Sequence, residues 1–269
     1  MGGSGYLGSE LVRQAVRAGD EVVATYLSRP SGGGDAQWHQ LDIREPGQAR
    51  AVISSVRPDV VINAAYRYDD WRSTAVGAAG IAVAAAGLGS HLVHVSSDAV
   101  FSGASPTAYD ESALPDPVMP YGAAKAAAET AVAAVDPRAT IVRTSLITGD
   151  GRSAPESLVH ELAAGTREGV LFTDDIRCPV HVADLAAALL ELAALRSAGL
   201  HHVAGPDAIS RHELGCLIAR RDKLDMSALP AGSRAERGVP GPLDVRLDCR
   251  RTQALLKIRL RGAREFFAQ

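Results

Sequence analysis

Tyr121 and Lys125 have the residue types and the spacing of a proton-donating pair. They lie four positions apart at the start of a predicted helix, so both side chains lie on one face of it. A neighbouring ammonium stabilises the phenolate and lowers the tyrosine pKa, which makes the hydroxyl a usable proton donor near neutral pH. Lysine occurs only three times in the chain, so a chance pair is uncommon. The pattern favours a general acid over an ordinary surface pair.

Polar side chains that would hold a carbonyl oxygen for this pair stand at the end of a predicted buried strand. Ser96, Ser97 and Asp98 follow the apolar run that begins at His91. In open α/β sheets, ligands bind beyond the carboxyl ends of the strands. We therefore expect these three residues at a ligand-binding edge.

Glycines open the chain with the spacing of a phosphate-binding turn. Gly2, Gly5 and Gly8 lead directly into an amphipathic helical pattern. Glycines let the backbone approach a diphosphate, and the free N–H groups and dipole of the following helix attract its negative charge. The spacing alone is weak evidence, but its position before a helix favours a dinucleotide site over a flexible tail.

The residues that follow the next predicted strand indicate which dinucleotide would bind. An NAD site presents Asp or Glu to the ribose 2′-hydroxyl there, whereas this chain has Ser28 and Arg29, which suit a 2′-phosphate. The sequence thus favours NADP(H) as cofactor, with NAD(H) as the alternative. Arg29 also fits a plain surface arginine at a strand exit.

The elements that would position these residues alternate along the first half of the chain. Short β-branched runs alternate with longer Ala-rich amphipathic runs. Strict alternation of strand and helix requires crossover connections, so the pattern predicts an α/β fold, a doubly wound parallel sheet with helices on both faces. The predicted strands are 21–27, 60–64, 91–96 and 140–142, and the predicted helices are 9–18, 46–56, 72–86 and 121–135, the third of them closed by Gly87.

After about residue 147 this alternation loosens. Helices are predicted at 155–164 and 182–195 and a strand at 200–203, and Ser210 with Glu213 forms a capping-box signature for a helix that runs to about Ala219. The length of 269 residues fits one large domain or two unequal ones. We expect a dinucleotide-binding lobe over 1–147, with 175–197 packing back onto it, and a smaller C-terminal α+β substrate lobe from 148–174 and 198–269.

Charge and composition argue against several classes of partner. The formal net charge of −3 gives no reason to expect nucleic acid. No apolar stretch is long enough to span a membrane and no export leader opens the chain, so we expect a cytoplasmic protein without a membrane partner. Three widely spaced cysteines and eight histidines show no metal-ligand pattern, and no metal is predicted. A homodimer stays open.

Six segments, in order along nearly the whole chain, resemble the extended short-chain dehydrogenases/reductases. More narrowly, they resemble the dTDP-4-dehydrorhamnose reductase branch, whose members reduce the 4-keto group of a nucleotide-linked deoxysugar. The resemblance implies a Rossmann fold and a nucleotide-sugar substrate, dTDP-linked. The segments are GGSGYLG at 2–8, PDVVINAA at 58–65, LVHVSSDAVFSG at 92–103, YGAAKAAAE at 121–129, VRTS at 142–145 and RCPVHVADLA at 177–186.

The same resemblance implies a role for individual positions. Ser97 matches the catalytic Ser or Thr of the family, Tyr121 its general acid, and Lys125 the residue that tunes the tyrosine and holds the nicotinamide ribose. Ser97, Asp98 and Tyr121 would contact the substrate. The cofactor positions are Gly2, Gly5, Tyr6 and Leu7 at the pyrophosphate turn, Ser28 and Arg29 at the ribose, Asp42 and Ile43 beside the adenine, and Ala64, Ala65, Tyr66, Tyr121 and Lys125 along the inner edge.

Two arginines are candidates for the diphosphate of the substrate. Arg143 and Arg177 carry planar guanidinium groups, which match phosphate geometry. Each suits the role of a structural ion-pair residue equally well. Arg177 is predicted as a substrate-binding residue, with the structural role as its alternative.

The chain departs from the family pattern on the substrate side. The family often has Asn as a proton-relay residue where this chain has Gly77. The family tends to have Trp where this chain has Leu146, and Arg-Pro where this chain has Gly241 and Pro242. We therefore expect a remodelled substrate side and a relay that differs from that of the family.

The largest departure lies at the front. The family places a strand of five or six residues before the glycine turn, in the sheet order 3-2-1-4-5-6, whereas only Met1 precedes Gly2 here. The first strand is expected to be missing or truncated, and the hypothesis is that translation begins upstream. Two other functions stay open: a sugar-nucleotide epimerase or dehydratase with retained NAD, and a non-catalytic NAD(P)-binding regulatory protein.

Overall fold

The chain forms two compact units, each assembled from three separate segments. A computed structural model describes residues 1–31 and 35–268. The segment Asp98–Met119 belongs to the second unit, although it lies within the predicted first lobe. The first unit comprises Met1–Ser97, Pro120–Arg143 and Ala186–His201, and the second comprises Asp98–Met119, Thr144–Leu185 and His202–Gln269.

Strands and helices alternate through the first half of the described chain, as the sequence predicts. The strands are β1 (Val23–Tyr26), β2 (Gln37–Gln40), β3 (Val60–Asn63), β4 (His91–Ser97), β5 (Thr140–Thr144), β6 (Ile147–Thr148), β7 (Leu171–Phe172), β8 (Ile176–Arg177), β9 (Val180–His181), β10 (Gly199–Val203), β11 (Ile209–Ser210) and β12 (Ala231–Gly232). The helices are α1 (Tyr6–Ala18), α2 (Pro46–Val56), α3 (Gly77–Leu88), α4 (Pro120–Val135), α5 (Ala154–Ala163), α6 (Val182–Leu195), α7 (Arg211–Asp222), α8 (Arg250–Gln253) and α9 (Ala263–Phe266).

The central sheet occurs as two fragments. β1 pairs with β2 in parallel, and β3 pairs with β4 in parallel. β4 continues to β5 and then to β10, which gives the strand order β10-β5-β4-β3 for the larger fragment. The predicted α/β fold with a parallel sheet is therefore confirmed. β2 was not predicted, because its sequence QWHQ lacks a β-branched apolar pattern.

No strand among the described residues lies between β1 and β3, and Met1 alone takes that position. Its amino group donates to the carbonyl oxygen of Ile62 at 2.6 Å, and its carbonyl oxygen accepts from the N–H of Ala64 at 3.2 Å. The N–H of Gly2 donates to Thr25 Oγ1 at 3.0 Å.

The helices of the first unit begin and end close to their predicted bounds. α1 buries one face against the sheet and ends at Gly19, whose φ of 88° is left-handed. One π-helical turn, Arg72–Val76, precedes α3. The predicted end of that helix at Gly87 is wrong by two residues, because Gly89, with a φ of 72°, makes the left-handed turn instead. The core joins residues of α2, α3, α4 and the strands, among them Ile53, Ile81, Leu92, Val132 and Ile141.

The second unit packs α5 against α7. A capping box of Ser153 and Glu156 starts α5. Ser210 starts α7 by accepting the N–H of Glu213 at 3.0 Å, and α7 continues three residues past the predicted end. Short strand pairs, β6 with β9, β8 with β11 and β7 with β12, complete the unit. No helix that the structure describes is long and apolar enough to cross a membrane.

Candidate active site

The structure brings Tyr121 and Lys125 together and attaches them to β4. Both lie in the first two turns of α4, where Tyr121 is half-buried and the Lys125 side chain is 3% exposed. Lys125 Nζ donates to the carbonyl oxygen of Val95 at 2.9 Å. Val95 lies two residues before Ser97, so the lysine contacts β4 close to the predicted catalytic serine. The same Nζ lies 5.9 Å from the centroid of the Tyr121 ring.

Glu129 lies on the same face of α4 as Lys125, one turn further along the helix. Its carboxylate accepts from Ser96 Oγ at 2.5 Å and from Arg143 at 2.7 and 3.0 Å, and all three side chains are buried. Arg143 therefore takes the structural role that the sequence left open. Glu129 was not predicted as a site residue, although its position four residues after Lys125 indicates that both lie on one helical face.

Burial dominates the electrostatics of the lysine. Loss of water around Nζ lowers the pKa of Lys125 to about 8, and the nearby Glu129 carboxylate opposes that shift without reversing it. Because Glu129 is already paired with Arg143, its charge is shared between two cations. Lys125 is thus an ammonium that loses its proton within reach of physiological pH.

Two further tyrosines flank the ring of Tyr121. Tyr68 stacks on it with centroids 4.6 Å apart and planes at 23°, and Tyr66 lies at 5.6 Å and 46°. Lys125 Nζ also lies 4.8 Å from the Tyr66 ring. Tyr66 is 51% exposed and Tyr68 65%. The sequence gives no signal for Tyr68, because an aromatic residue in a loop carries no periodicity that would place it beside α4.

A buried amide and imidazole fix the turn that follows β3. Asn63 Nδ2 lies 3.2 Å from His94 Nδ1, and Asn63 Oδ1 accepts the N–H of Ala65 at 3.1 Å. Burial and the nearby Lys125 lower the pKa of His94 to about 3, so its ring stays neutral and its Nδ1 accepts the amide hydrogen. Ala64 and Ala65, two predicted cofactor residues, owe their placement to this pair.

The glycine turn is packed too closely for side chains at most of its positions. A Cβ on Gly8 would lie 2.0 Å from the carbonyl oxygen of Gly2, and one on Gly2, whose φ is 75°, would lie 2.9 Å from Ala65. Gly5 is the N-terminal cap of the 13-residue helix α1, which has no side-chain cap and no acidic residue in its first turn. These features fit the diphosphate of a dinucleotide, because the first N–H groups of a helix attract an anion.

The other predicted cofactor positions lie along the same unit. Ser28 and Arg29 are exposed after β1. The carboxylate of Asp42 is held bidentately by Arg44 at 2.6 to 3.0 Å, and hydrogen bonds from that guanidinium lower its pKa. Ile43 is buried beside Gly77, and a Cβ on Gly77 would lie 2.9 Å from the carbonyl oxygen of Ile43. The position where the family has Asn is therefore too tightly packed for a side chain.

Asp98 and Arg177 lie in the second unit and are both buried. Asp98 accepts from Ser145 Oγ at 2.6 Å, and Arg177 Nε lies 3.7 Å from Asp98. Arg177 also forms an ion pair with Asp175 at 2.9 Å and donates to the carbonyl oxygens of Ile176, Leu243 and Pro242 at 2.6 to 3.0 Å. These contacts favour the structural alternative for Arg177.

Among the described residues, no group of three or more His, Cys, Asp or Glu side chains is arranged to hold a metal ion. Cys178 is buried in the second unit, where its backbone N–H donates to Ser145 Oγ at 3.2 Å. Burial raises the pKa of its thiol to about 11. Cys178 is therefore a packed thiol.

A parallel α/β sheet, a glycine turn ahead of the first helix and a Tyr–Lys pair beside β4 define an extended short-chain dehydrogenase/reductase. The chain belongs to the family described as the RmlD substrate binding domain, which matches residues 1–269. It is 37% identical over 226 residues to the dTDP-4-dehydrorhamnose reductase of Mycobacterium tuberculosis, an alignment that covers 78% of this chain and 70% of that protein.

Solved structures give the same fold. The crystal structure of a hypothetical dTDP-4-dehydrorhamnose reductase from Sulfolobus tokodaii has a TM-score of 0.81 and 29% identity, covering 97% of this chain and 95% of that one. The dTDP-4-dehydrorhamnose reductase of Bacillus anthracis in complex with NADP has a TM-score of 0.81 and 24% identity, with 99% and 95% covered. At that identity, the second likeness shows the fold alone.

Proposed function

We propose that the protein is an NAD(P)H-dependent reductase of the 4-keto group of a nucleotide-linked deoxysugar. The observation that carries this proposal is the Tyr121–Lys125 pair, buried at its lysine end and attached to β4 beside Ser97. Family membership supports it, because relatives of this chain are named dTDP-4-dehydrorhamnose reductases. A dTDP-linked 4-keto sugar is therefore the substrate class that we favour.

Proton transfer is the part of the reaction that the side chains of this chain perform. When bound, the reduced nicotinamide supplies a hydride to the carbonyl carbon. Tyr121 gives its hydroxyl proton to the carbonyl oxygen, so negative charge does not accumulate there. Lys125 stabilises the phenolate that remains, and Ser97 donates a hydrogen bond to the same carbonyl oxygen.

Residues of the first unit would hold the cofactor. The glycine turn and the first N–H groups of α1 suit its diphosphate, and the turn of Ala64, Ala65 and Tyr66 suits its inner edge. Ser28 and Arg29 favour NADP(H), because a guanidinium matches a 2′-phosphate and the loop offers no carboxylate to a 2′-hydroxyl at these two positions. Structural neighbours were solved with either cofactor, NADP in the Bacillus anthracis protein and NAD+ in the Bordetella bronchiseptica protein, so the proposed preference rests on these two residues.

Residues of the second unit would contact the sugar nucleotide. Asp98 is the candidate for the sugar hydroxyls, since its carboxylate is held by Ser145. Arg177 would act through Asp98, because its own donors already bind Asp175 and backbone carbonyls. The first unit is thus proposed as the cofactor unit and the second as the substrate unit.

The test is a cofactor-oxidation assay with a panel of nucleotide-linked 4-keto sugars, run separately with NADH and NADPH. We expect oxidation of NADPH in preference to NADH with a dTDP-linked substrate. Tyr121→Phe should reduce turnover by about 10³-fold, since general acid catalysis contributes about 10²- to 10⁴-fold, and should leave the Kd for NADPH nearly unchanged. Unchanged turnover would refute the role of Tyr121, and failure across the panel by a protein that binds NADPH would favour a binding protein.

A further inference from the structure

Three buried polar side chains from three elements of the first unit meet beside Lys125. Ser96 lies on β4, Glu129 on α4 and Arg143 on β5, and none of them is more than 5% exposed. The carboxylate of Glu129 accepts from Ser96 Oγ at 2.5 Å and from Arg143 Nη2 at 2.7 Å. β5 is the neighbour of β4 in the sheet. One carboxylate thus joins the helix to two adjacent strands, and we call Ser96, Glu129 and Arg143 the buried triad.

The buried triad attaches α4 to β4 directly beside the proposed catalytic groups. Along β4, the carbonyl oxygen of Val95 accepts from Lys125, the next residue binds the carboxylate of the triad, and Ser97 follows. Along α4, Tyr121, Lys125 and Glu129 are spaced by four residues, so they lie on one face of the helix. Two successive residues of the strand therefore hold two successive turns of the helix. This double attachment fixes the register of α4 on β4, and with it the placement of Tyr121 relative to Ser97.

The charges around Lys125 give the buried triad a second effect. The groups that face Nζ from the neighbouring elements are the rings of Tyr66 and Tyr121 and the imidazole of His94, all neutral before proton transfer. Glu129 supplies a negative charge from one turn further along α4. Its carboxylate stabilises the ammonium, and so it opposes the loss of the proton that burial favours. The charge of the lysine therefore depends on the triad as well as on burial.

We propose that the buried triad is a positioning device for the proton-donating pair. It holds α4 on β4 so that Tyr121 stays aligned with Ser97, and its carboxylate keeps Lys125 in the charged form that stabilises a phenolate. Its three members act through these residues and are not themselves catalytic. Alignment and charge are separate effects, so different substitutions in the triad remove them separately. The proposal deepens the reductase function proposed above, and its kinetic readouts rest on that function.

Alignment is tested by Ser96→Ala, which detaches β4 from the triad and leaves the ion pair of Glu129 with Arg143 in place. We expect kcat to fall about tenfold, while the KM for the sugar nucleotide and the Kd for NADPH stay within about twofold, because a misplaced proton donor weakens only the transition state. Ser96→Thr keeps the hydroxyl and should recover most of the loss. The matched control is Thr140→Val, which removes a buried hydroxyl at the far end of β5 that donates to the carbonyl oxygen of Ser197 at 2.6 Å. It should lower Tm by a similar amount and leave kcat unchanged.

Charge is tested by Glu129→Gln, which keeps the shape of the side chain and removes its negative charge. Without the carboxylate, the pKa of Lys125 should fall below its value of about 8. The alkaline limb of the pH profile of kcat should then move to lower pH by about half a unit or more. Ser96→Ala keeps the charge, so its alkaline limb should stay where it is in the parent protein. Ser96→Ala also keeps the proposal testable if the amide variant does not fold beside Arg143.

A lysine titration by NMR makes the charge test independent of turnover. The chain has three lysines, so protein labelled with ¹³C at lysine gives three signals, and Lys125→Met assigns the relevant one. That signal should titrate near pH 8 in the parent protein and in Ser96→Ala, and at lower pH in Glu129→Gln.

Two results would overturn the proposal. A kcat of Ser96→Ala equal to that of Thr140→Val would exclude the role in alignment, and an unmoved Lys125 signal in folded Glu129→Gln would exclude the role in charge. A parent protein that shows the expected titration but turns over no sugar nucleotide would instead refute the reductase function, and the control of Lys125 by the triad would still hold.

Discussion

Lys125 in the first unit and Arg177 in the second are both buried cations, and their surroundings are opposite. Arg177 forms an ion pair with the carboxylate of Asp175 and donates to three backbone carbonyls. Lys125 donates to one neutral carbonyl and faces two aromatic rings, while Glu129 is shared with Arg143. A buried cation that is paired with carboxylates and backbone carbonyls holds the fold together, whereas one that is weakly compensated is available for chemistry.

The aromatic surroundings explain why the second arrangement is tolerated. A ring face attracts a cation without binding its proton, so Tyr66 and Tyr121 stabilise the ammonium only in part. Loss of water on burial therefore lowers the pKa of Lys125, a shift that a carboxylate in direct contact would have opposed. The four predictions below test this contrast between the two cations.

The largest effect is expected from the reactive cation. Lys125→Met removes the charge that stabilises the Tyr121 phenolate, and we expect turnover to fall by about 10³-fold. Circular dichroism should show a folded protein, since methionine fills a similar volume among the same rings. Steady-state kinetics with NADPH and the best sugar nucleotide measures the loss. Turnover within tenfold of the parent protein would contradict the proposed role.

The structural cation should instead control stability. Arg177→Met leaves the buried carboxylates of Asp98 and Asp175 without this partner, and we expect the free energy of unfolding to fall by about 3–5 kcal/mol. Urea denaturation measures it. Arg250→Ala is the matched control: it removes an ion pair with Asp248 whose arginine is 91% exposed, and should change stability by less than about 1 kcal/mol. Similar losses for the two variants would show that Arg177 contributes no more to stability than a surface arginine.

Alkaline pH should stabilise the native protein through Lys125. Its pKa is about 8 in the folded protein, against 10.5 for a lysine in water, so between these values the unfolded chain binds more protons and stability rises with pH. The full contribution, about 3 kcal/mol, is present above pH 10.5 and is lost as the pH falls towards 8. Lys125→Met should lack this increment. Urea denaturation of both proteins from about pH 7.5 to 10.5 isolates it as a difference, and parallel curves would refute the lowered pKa.

The smallest effect is expected from the ring that stacks on Tyr121. Tyr68→Leu removes an aromatic contact worth about 0.5–1.5 kcal/mol, so kcat/KM should fall by about threefold to tenfold. Tyr68→Phe keeps the stacked ring and should behave like the parent protein. Because Tyr68 is largely exposed, Tyr68→Phe should unfold at the parent temperature and Tyr68→Leu only a few degrees below it. Equal activity of Tyr68→Leu and Tyr68→Phe would show that stacking does not position Tyr121.

Local pattern was enough to predict the elements that carry the site. The bounds of α2 and α6 agree with the structure to the residue, and the spacing of Tyr121 and Lys125 placed both on one helical face. Periodicity reports which side of a helix is apolar, and that is a property of neighbouring residues. β2 escaped prediction because an edge strand need not be apolar, and the π-helical turn before α3 has no sequence signature that we recognise.

The separate roles of the charged residues could not be read in this way. In the sequence, Arg143 and Arg177 cannot be told from arginines that bind phosphate. Their structural roles are evident only from the carboxylates and carbonyls that surround them. Glu129 and Tyr68 acquire their roles from residues 14 and 53 positions away, Arg143 and Tyr121. Such partners come together through the packing of helices on the sheet, which sequence distance does not encode.

The amino-acid sequence by itself determined the α/β alternation, the glycine turn and the Tyr–Lys pair, because each follows from local spacing. Only the tertiary structure decided that Lys125 is buried with weak compensation and that Arg177 is held by carboxylates and backbone carbonyls. Burial and partners set the energy of a charge, and both depend on which distant segments meet in space.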